Sequence, residues 1–170
     1  MAETVSESPA EIPYGLARLR ALKKAGKASP ISSTMSIEAV DYDLGRAVFE
    51  GRPDKRFYNP FGSVQGGYAA TLLDAACGGA VHTHLAIGQA YATLELKVSY
   101  QRRLVEASSP IRAEGRVLSV GRRIAFSEAR LIDAQGQLCA TASATIMVFH
   151  VPDNPPANIE ATKEGSRHEV

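Results

Sequence analysis

A chain of 170 residues, 45% hydrophobic and 22% charged, has room for one globular domain with a substantial core and little room for a second. Its formal net charge of +1 lacks the basic excess of a nucleic-acid binder, so no nucleic-acid partner is expected. The two cysteines, Cys77 and Cys139, lack metal-ligand spacing; neither a metal site nor a disulfide framework is expected, and both read as small buried hydrophobes.

Residues 1–13 are polar, acidic and rich in Ser, Glu and Pro, which predicts a flexible N-terminus without a signal-peptide core. No run approaches the length of a membrane span, so no membrane partner and a cytoplasmic location are expected. A helix is predicted over 14–25, where Leu16, Leu19 and Leu22 recur at helical spacing among Arg18, Arg20, Lys23 and Lys24 before Gly26. A membrane-surface helix is the alternative there, but the segment is short and modestly apolar, which favours docking on its own domain. Strands are predicted over 34–42 and 44–50 about a turn at Asp43-Leu44-Gly45, followed by a loop over 51–64 that contains Pro53, Pro60 and Gly62.

A long helix is predicted from Gln65 to His82. Four strands follow, over 93–100, 110–120, 124–133 and 138–149, and residues 152–170 read as a polar tail beyond a single domain spanning 14–151. Strict alternation in the first of these strands assigns Leu94, Leu96, Val98 and Tyr100 to one face and Thr93, Glu95, Lys97 and Ser99 to the other. This order makes an α+β domain. One helix cannot cover a sheet of about six strands, so the sheet is expected to curl round it and to use another subunit.

The long helix carries one acidic residue. On a helical wheel Gly66, Ala69, Ala70, Leu73, Ala76, Cys77, Ala80 and Val81 form the core stripe, while Asp74 shares the adjoining edge with Gly67, Thr71 and Gly78. Small neighbours leave space beside Asp74, and tight wrapping by a sheet, or approach of a partner helix or ligand along the Gly78 face, can offset the cost of about 1 kcal/mol for each interior glycine. A solvated carboxylate is the plainer alternative. The helix begins at Gly66-Gly67, where the first backbone N–H groups have no intrahelical acceptor and can meet negative charge developing on an oxygen. His82 and His84 lack companion ligands and read as helix-end cations.

The residues Asn59, Gln65-Gly66-Gly67, Leu72-Leu73-Asp74 and Thr93 to Tyr100, with Gly115-Arg116-Val117, Gly121-Arg122, and Asp133 and Gly136 before Ala140-Thr141-Ala142, resemble the hotdog-fold thioesterases. The resemblance runs from about Ile37 to Val151 and is to the phenylacetic-acid-pathway branch. It implies a hotdog fold: a curved antiparallel sheet of about six strands wrapped round one long central helix, here with an extra N-terminal helix, in homodimers or dimers of dimers. It further implies a thioesterase acting on an acyl thioester of coenzyme A or of acyl carrier protein, read here as an acyl-CoA thioesterase that yields a free acid and coenzyme A, with coenzyme A present only as part of the substrate and no metal or other cofactor.

On that resemblance Asp74 is nucleophile or general base, the Gly66 amide is the oxyanion donor, and Asn59 orients the thioester or water. Thr93 supplies a hydroxyl near the water, expected from the partner subunit. Gln65, Gly67, Gly78, Arg122 and Arg123 are implied to bind substrate, the arginines through coenzyme A phosphates. Exposed arginines at strand ends also serve solubility or interfaces, which is the competing reading. Gln65 departs from the family, where many members have histidine, and glutamine does not titrate near neutral pH. That departure motivates the alternative of a non-catalytic acyl-CoA binding or sensing protein. A dehydratase is the weaker third reading, because no histidine lies in the loop or early helix to pair with Asp74.

Overall fold

The computed structural model describes residues 12–151; the expected flexible N-terminus, all but two of its residues, and the C-terminal tail over 152–170 lie outside that range. Its elements are α1 (Tyr14–Lys24), α2 (Pro30–Thr34), β1 (Ile37–Asp43), β2 (Arg46–Gly51), α3 (Gly66–His82), β3 (Gln89–Tyr100), β4 (Ile111–Val120), β5 (Ile124–Ile132) and β6 (Leu138–His150). The six strands form one curved antiparallel sheet in the order β1-β2-β4-β5-β6-β3, with α3 on its inner face. This is the hotdog architecture, and β3 forms one open edge.

Small residues allow helix and sheet to approach closely. Ala113, Ala125, Ala129, Ala140, Ala142 and Ala144 are buried on the strands, and a Cβ on Gly115 would strike the carbonyl of Ala76 in α3. Leu72, Leu73 and Val81 are fully buried from the helix side, each contributing about 1.5–3 kcal/mol of transfer free energy. Burial on α3 is wider than the predicted stripe, because Tyr68 and Leu72 join it while Gly66 and Ala70 are only half-buried. Both cysteines are buried and free.

α1 docks on the domain. Leu16 and Leu19 pack with Tyr42, Ala47 and Ala80, and the Gly15 amide donates to the Leu85 carbonyl at 2.9 Å. No described helix is long and apolar enough to cross a membrane. The sequence pattern predicts a strand from Thr34, but Ser29 caps a short helix, accepting from the Ser32 amide, and Pro30 sits at its start. The first strand therefore begins at Ile37.

Candidate active site

The functional arrangement depends on an irregularity in β3. Thr93 pairs with Ile146 of β6 and Glu95 with Thr145, leaving Leu94 as an extra residue. Regular alternation would have turned Thr93 outward with Glu95. The bulge instead turns Thr93 to the helix face and leaves Leu94 57% exposed, so the predicted two-face assignment fails at these two positions. Thr93 Oγ1 then donates to Asp74 Oδ1 at 2.9 Å. Asp74 and Thr93 are both half-buried, and the bond lies within one chain, whereas the sequence reading placed Thr93 on a partner subunit. The second carboxylate oxygen of Asp74 makes no hydrogen bond with the described residues.

Asn59, Gln65, Gly66 and Gly67 gather at the start of α3. The Asn59 amide is spent on its own loop: Oδ1 accepts from the Phe61 and Ser63 amides at 3.0 and 3.2 Å, and Nδ2 donates to Ser63 Oγ at 3.0 Å. Arg103 reinforces the loop from β3's far end, donating through Nη2 to the Gly62 carbonyl at 2.6 Å. Gln65 caps the helix through its backbone without a side-chain bond, and its side chain is exposed. The Tyr100 hydroxyl donates to the Gly66 carbonyl at 2.9 Å, and its ring faces the Cα of Gly66. Of the pair at the helix start, Gly67 faces open space. A cavity of about 330 Å³ lies beside this helix end, lined by Gln65, Gly66, Tyr100, Arg102 and Arg103 among others.

The two groups lie apart. Eight residues at 1.5 Å rise separate Gly66 from Asp74 by about 12 Å along the helix, too far for both to touch one carbonyl. The Asp74–Thr93 pair and the Gly66 helix end are therefore separate places on one chain.

Gly78 differs from its predicted role. It is buried, and a Cβ there would lie 2.6 Å from the Tyr91 ring, so the space attributed to substrate over Gly78 is filled by that tyrosine. Arg122 and Arg123 are exposed in the β4–β5 turn and form no ion pair with the described residues. Ile124, next to them, pairs with Met147, which pairs with Ala92. The arginine turn thus lies about two strand spacings, roughly 10 Å, from the Thr93 end of β3.

Burial pushes the Cys77 thiol up to about 11 and the Tyr91 phenol up to about 12, with Asp74 pushing both the same way. Neither is a ready nucleophile at neutral pH. Burial lowers the pKa of His82, which packs edge-on against Tyr91 at 5.8 Å. Among the described residues no three His, Cys, Asp or Glu side chains are grouped to hold a metal ion. A second cavity of about 250 Å³ opens on β4 and β5 among Arg112, Glu114, Arg116, Glu128 and Arg130, where Arg116 pairs with Glu114 at 2.6 Å.

Known proteins with a similar sequence or fold can be set beside this geometry. Residues 61–140 match the thioesterase superfamily. The matched span includes Gln65, Gly66, Gly67, Asp74, Gly78, Thr93, Arg122 and Arg123, and Asn59 lies just before it. A phenylacetic acid degradation-related protein from Ralstonia eutropha is 26% identical with a TM-score of 0.68, over 75% of this chain and 97% of that one. The PaaI protein of E. coli shares the fold at 15% identity, TM-score 0.69, over 84% and 97% of the two chains. A Haemophilus influenzae thioesterase shares it at 21% identity, TM-score 0.67, over 79% and 90%. No curated protein matches the sequence. The resemblance to hotdog thioesterases therefore stands for the fold, with the thioesterase-superfamily match lying over residues 61–140.

Tyr91 and Tyr100 were missed as site residues. Both are aromatic residues on the strand that carries Thr93, the one signal by which the sequence marks them.

Proposed function

We propose that this thioesterase-superfamily protein hydrolyses acyl-CoA thioesters, with Asp74 as the reactive carboxylate. The observation that carries the reading is the Thr93 bond to Asp74 Oδ1, which fixes the carboxylate on the seam between α3 and β3 while Oδ2 stays available. As general base, Asp74 takes a proton from water as the water oxygen attacks the thioester carbon. The carbonyl electrons move onto oxygen and are met by the Gly66 N–H. Collapse then breaks the C–S bond, and the proton held by Asp74 passes to the departing thiolate. Asp74 attacking the carbon itself, through an anhydride that water opens, uses the same groups.

The two places are half-sites, joined by a second copy. β3 is a long open edge with Leu94 and Tyr100 both more than half exposed. Antiparallel pairing of two β3 strands about a two-fold axis between Leu96 and Lys97 sets Tyr100 and Gly66 of one copy beside Thr93 and Asp74 of the other. Homodimers, or dimers of dimers, are thus part of the proposal. Gln65 enters as a positioning backbone at this helix end, because Asn59, Arg103 and Tyr100 already hold the loop. Arg102, Arg122 and Arg123 are the cations offered to coenzyme A phosphates.

The test is thiol release from a panel of acyl-CoAs by wild type and Asp74→Asn. Wild-type turnover with a loss of at least about a hundredfold in the variant supports the reading. Equal rates remove Asp74 from the reaction, and tight acyl-CoA binding without thiol release supports the binding-protein alternative.

A further inference from the structure

Tyr91 stands one helical turn beyond Asp74. A Cβ on Gly78 would lie 2.6, 2.7 and 2.9 Å from the Cε2, hydroxyl and Cζ of its ring, so the ring rests directly on the helix backbone. Gly78 follows Asp74 by four residues, about 6 Å along the same helix face. Tyr91 precedes Thr93 by two residues on the same strand face, pairing with buried Val148 as Thr93 pairs with buried Ile146. One seam between α3 and β3 therefore holds the Thr93–Asp74 bond and, a turn further on, the Tyr91 ring.

Burial along that seam has a direction. Gln65 and Gly67 are exposed, Asp74 is half-buried, and Gly78 through Val81 are buried. A substrate with its reacting carbonyl at Asp74 has the buried end of the seam, toward Gly78, for its apolar part. There it meets Tyr91. Behind the ring, His82 packs edge-on at 5.8 Å and an interplanar angle of 69°, which limits how far the ring can swing away.

We propose that Tyr91 ends the acyl pocket and restricts this protein to short acyl groups, a proposal that rests on the acyl-thioester reading of Asp74. With C–C bonds of about 1.5 Å, the helix rise of about 6 Å from Asp74 to Gly78 matches an extended chain of roughly four to five bonds, and the proposal lays the acyl group along it. Gly78 is then a glycine because the stop needs its full depth. The wall is also uncharged, since burial pushes the phenol up to about 12.

The intact protein would be assayed with saturated acyl-CoAs from acetyl to decanoyl, and by calorimetry with their nonhydrolysable thioether analogues. Wild type is expected to lose about fivefold or more in kcat/KM per methylene beyond the fit. Tyr91→Ala moves the cut-off to longer chains, gaining about fourfold per newly buried methylene. Gly78→Ala, whose Cβ would collide with the ring and displace it, is expected to move the cut-off as well. Tyr91→Leu keeps an apolar plug and gives an intermediate cut-off should the alanine variant fold poorly. Loss of stability alone would lower rates for every chain length alike.

An unmoved cut-off in folded Tyr91→Ala or Tyr91→Leu overturns the proposal and leaves the hydrolase reading intact. Binding whose length profile shifts with Tyr91, in a protein that turns over no substrate, sustains the pocket wall and sinks the hydrolase reading. Neither turnover nor binding overturns both.

Discussion

Replacing Gly66 with proline deletes the proposed oxyanion donor while changing little else. Gly66 is the first residue of α3, the helical position where proline is best tolerated because the missing N–H has no intrahelical acceptor. Gln65 before it already has φ −60° and ψ 136°, the extended conformation that a following proline requires. The added Cβ would meet Tyr100 Cζ and its hydroxyl at 3.2 Å, so the tyrosine must give by a few tenths of an ångström. Alanine adds the same Cβ and keeps the N–H, which makes Gly66→Ala the control for shape. Removing an oxyanion donor lowers kcat by about 100- to 1000-fold. Gly66→Pro is therefore expected to fall by that factor below Gly66→Ala in steady-state thiol release, with thermal unfolding confirming that both variants are folded. Equal kcat in the two variants would remove the Gly66 amide from the mechanism.

Thr93→Val removes a hydrogen bond to a charged group, worth about 1.5–3 kcal/mol when buried; with the site half open to water, roughly a tenfold loss of kcat is expected, largely restored in Thr93→Ser. Full activity in Thr93→Val would show that Asp74 needs no such anchor. Burial holds His82 below its usual pKa, so the unfolded chain binds a proton that the folded chain refuses. Stability from this group is present above about pH 6.5 and is lost as the pH falls below it. The urea midpoint should drop on acidification through that range, and drop less in His82→Phe; parallel slopes would contradict the assignment.

The hotdog architecture was legible because periodicity and turn chemistry agree along the chain. The spacing of Leu16 and Leu19, the Gly45 turn and the apolar run after Gly66 all answer to local rules. Asp74 stood out for a related reason, as the sole acid on an otherwise apolar helix. What was hidden arises from contacts between distant segments. The bulge at Leu94 has no local signature, and a strictly alternating pattern argued against it, yet it alone turns Thr93 toward Asp74. Gly78 reads as open space until Tyr91, thirteen residues later, is seen folded over it. Asn59 carries the right chemistry for substrate, but its amide closes an Asx-type turn that only loop geometry reveals. The 12 Å rise between Gly66 and Asp74 followed from the sequence spacing itself, and its consequence, two half-sites, needed the sheet edge to give it meaning.

The central claim is that one copy's Asp74 works with the other copy's Gly66. Its most direct test mixes Gly66→Pro and Asp74→Asn chains, each nearly inactive alone, by refolding them together. A mixed two-fold dimer rebuilds one intact site from the unmutated half of each chain, so random pairing is predicted to recover roughly a quarter of wild-type activity. Mixed dimers that form and stay inactive would contradict the account.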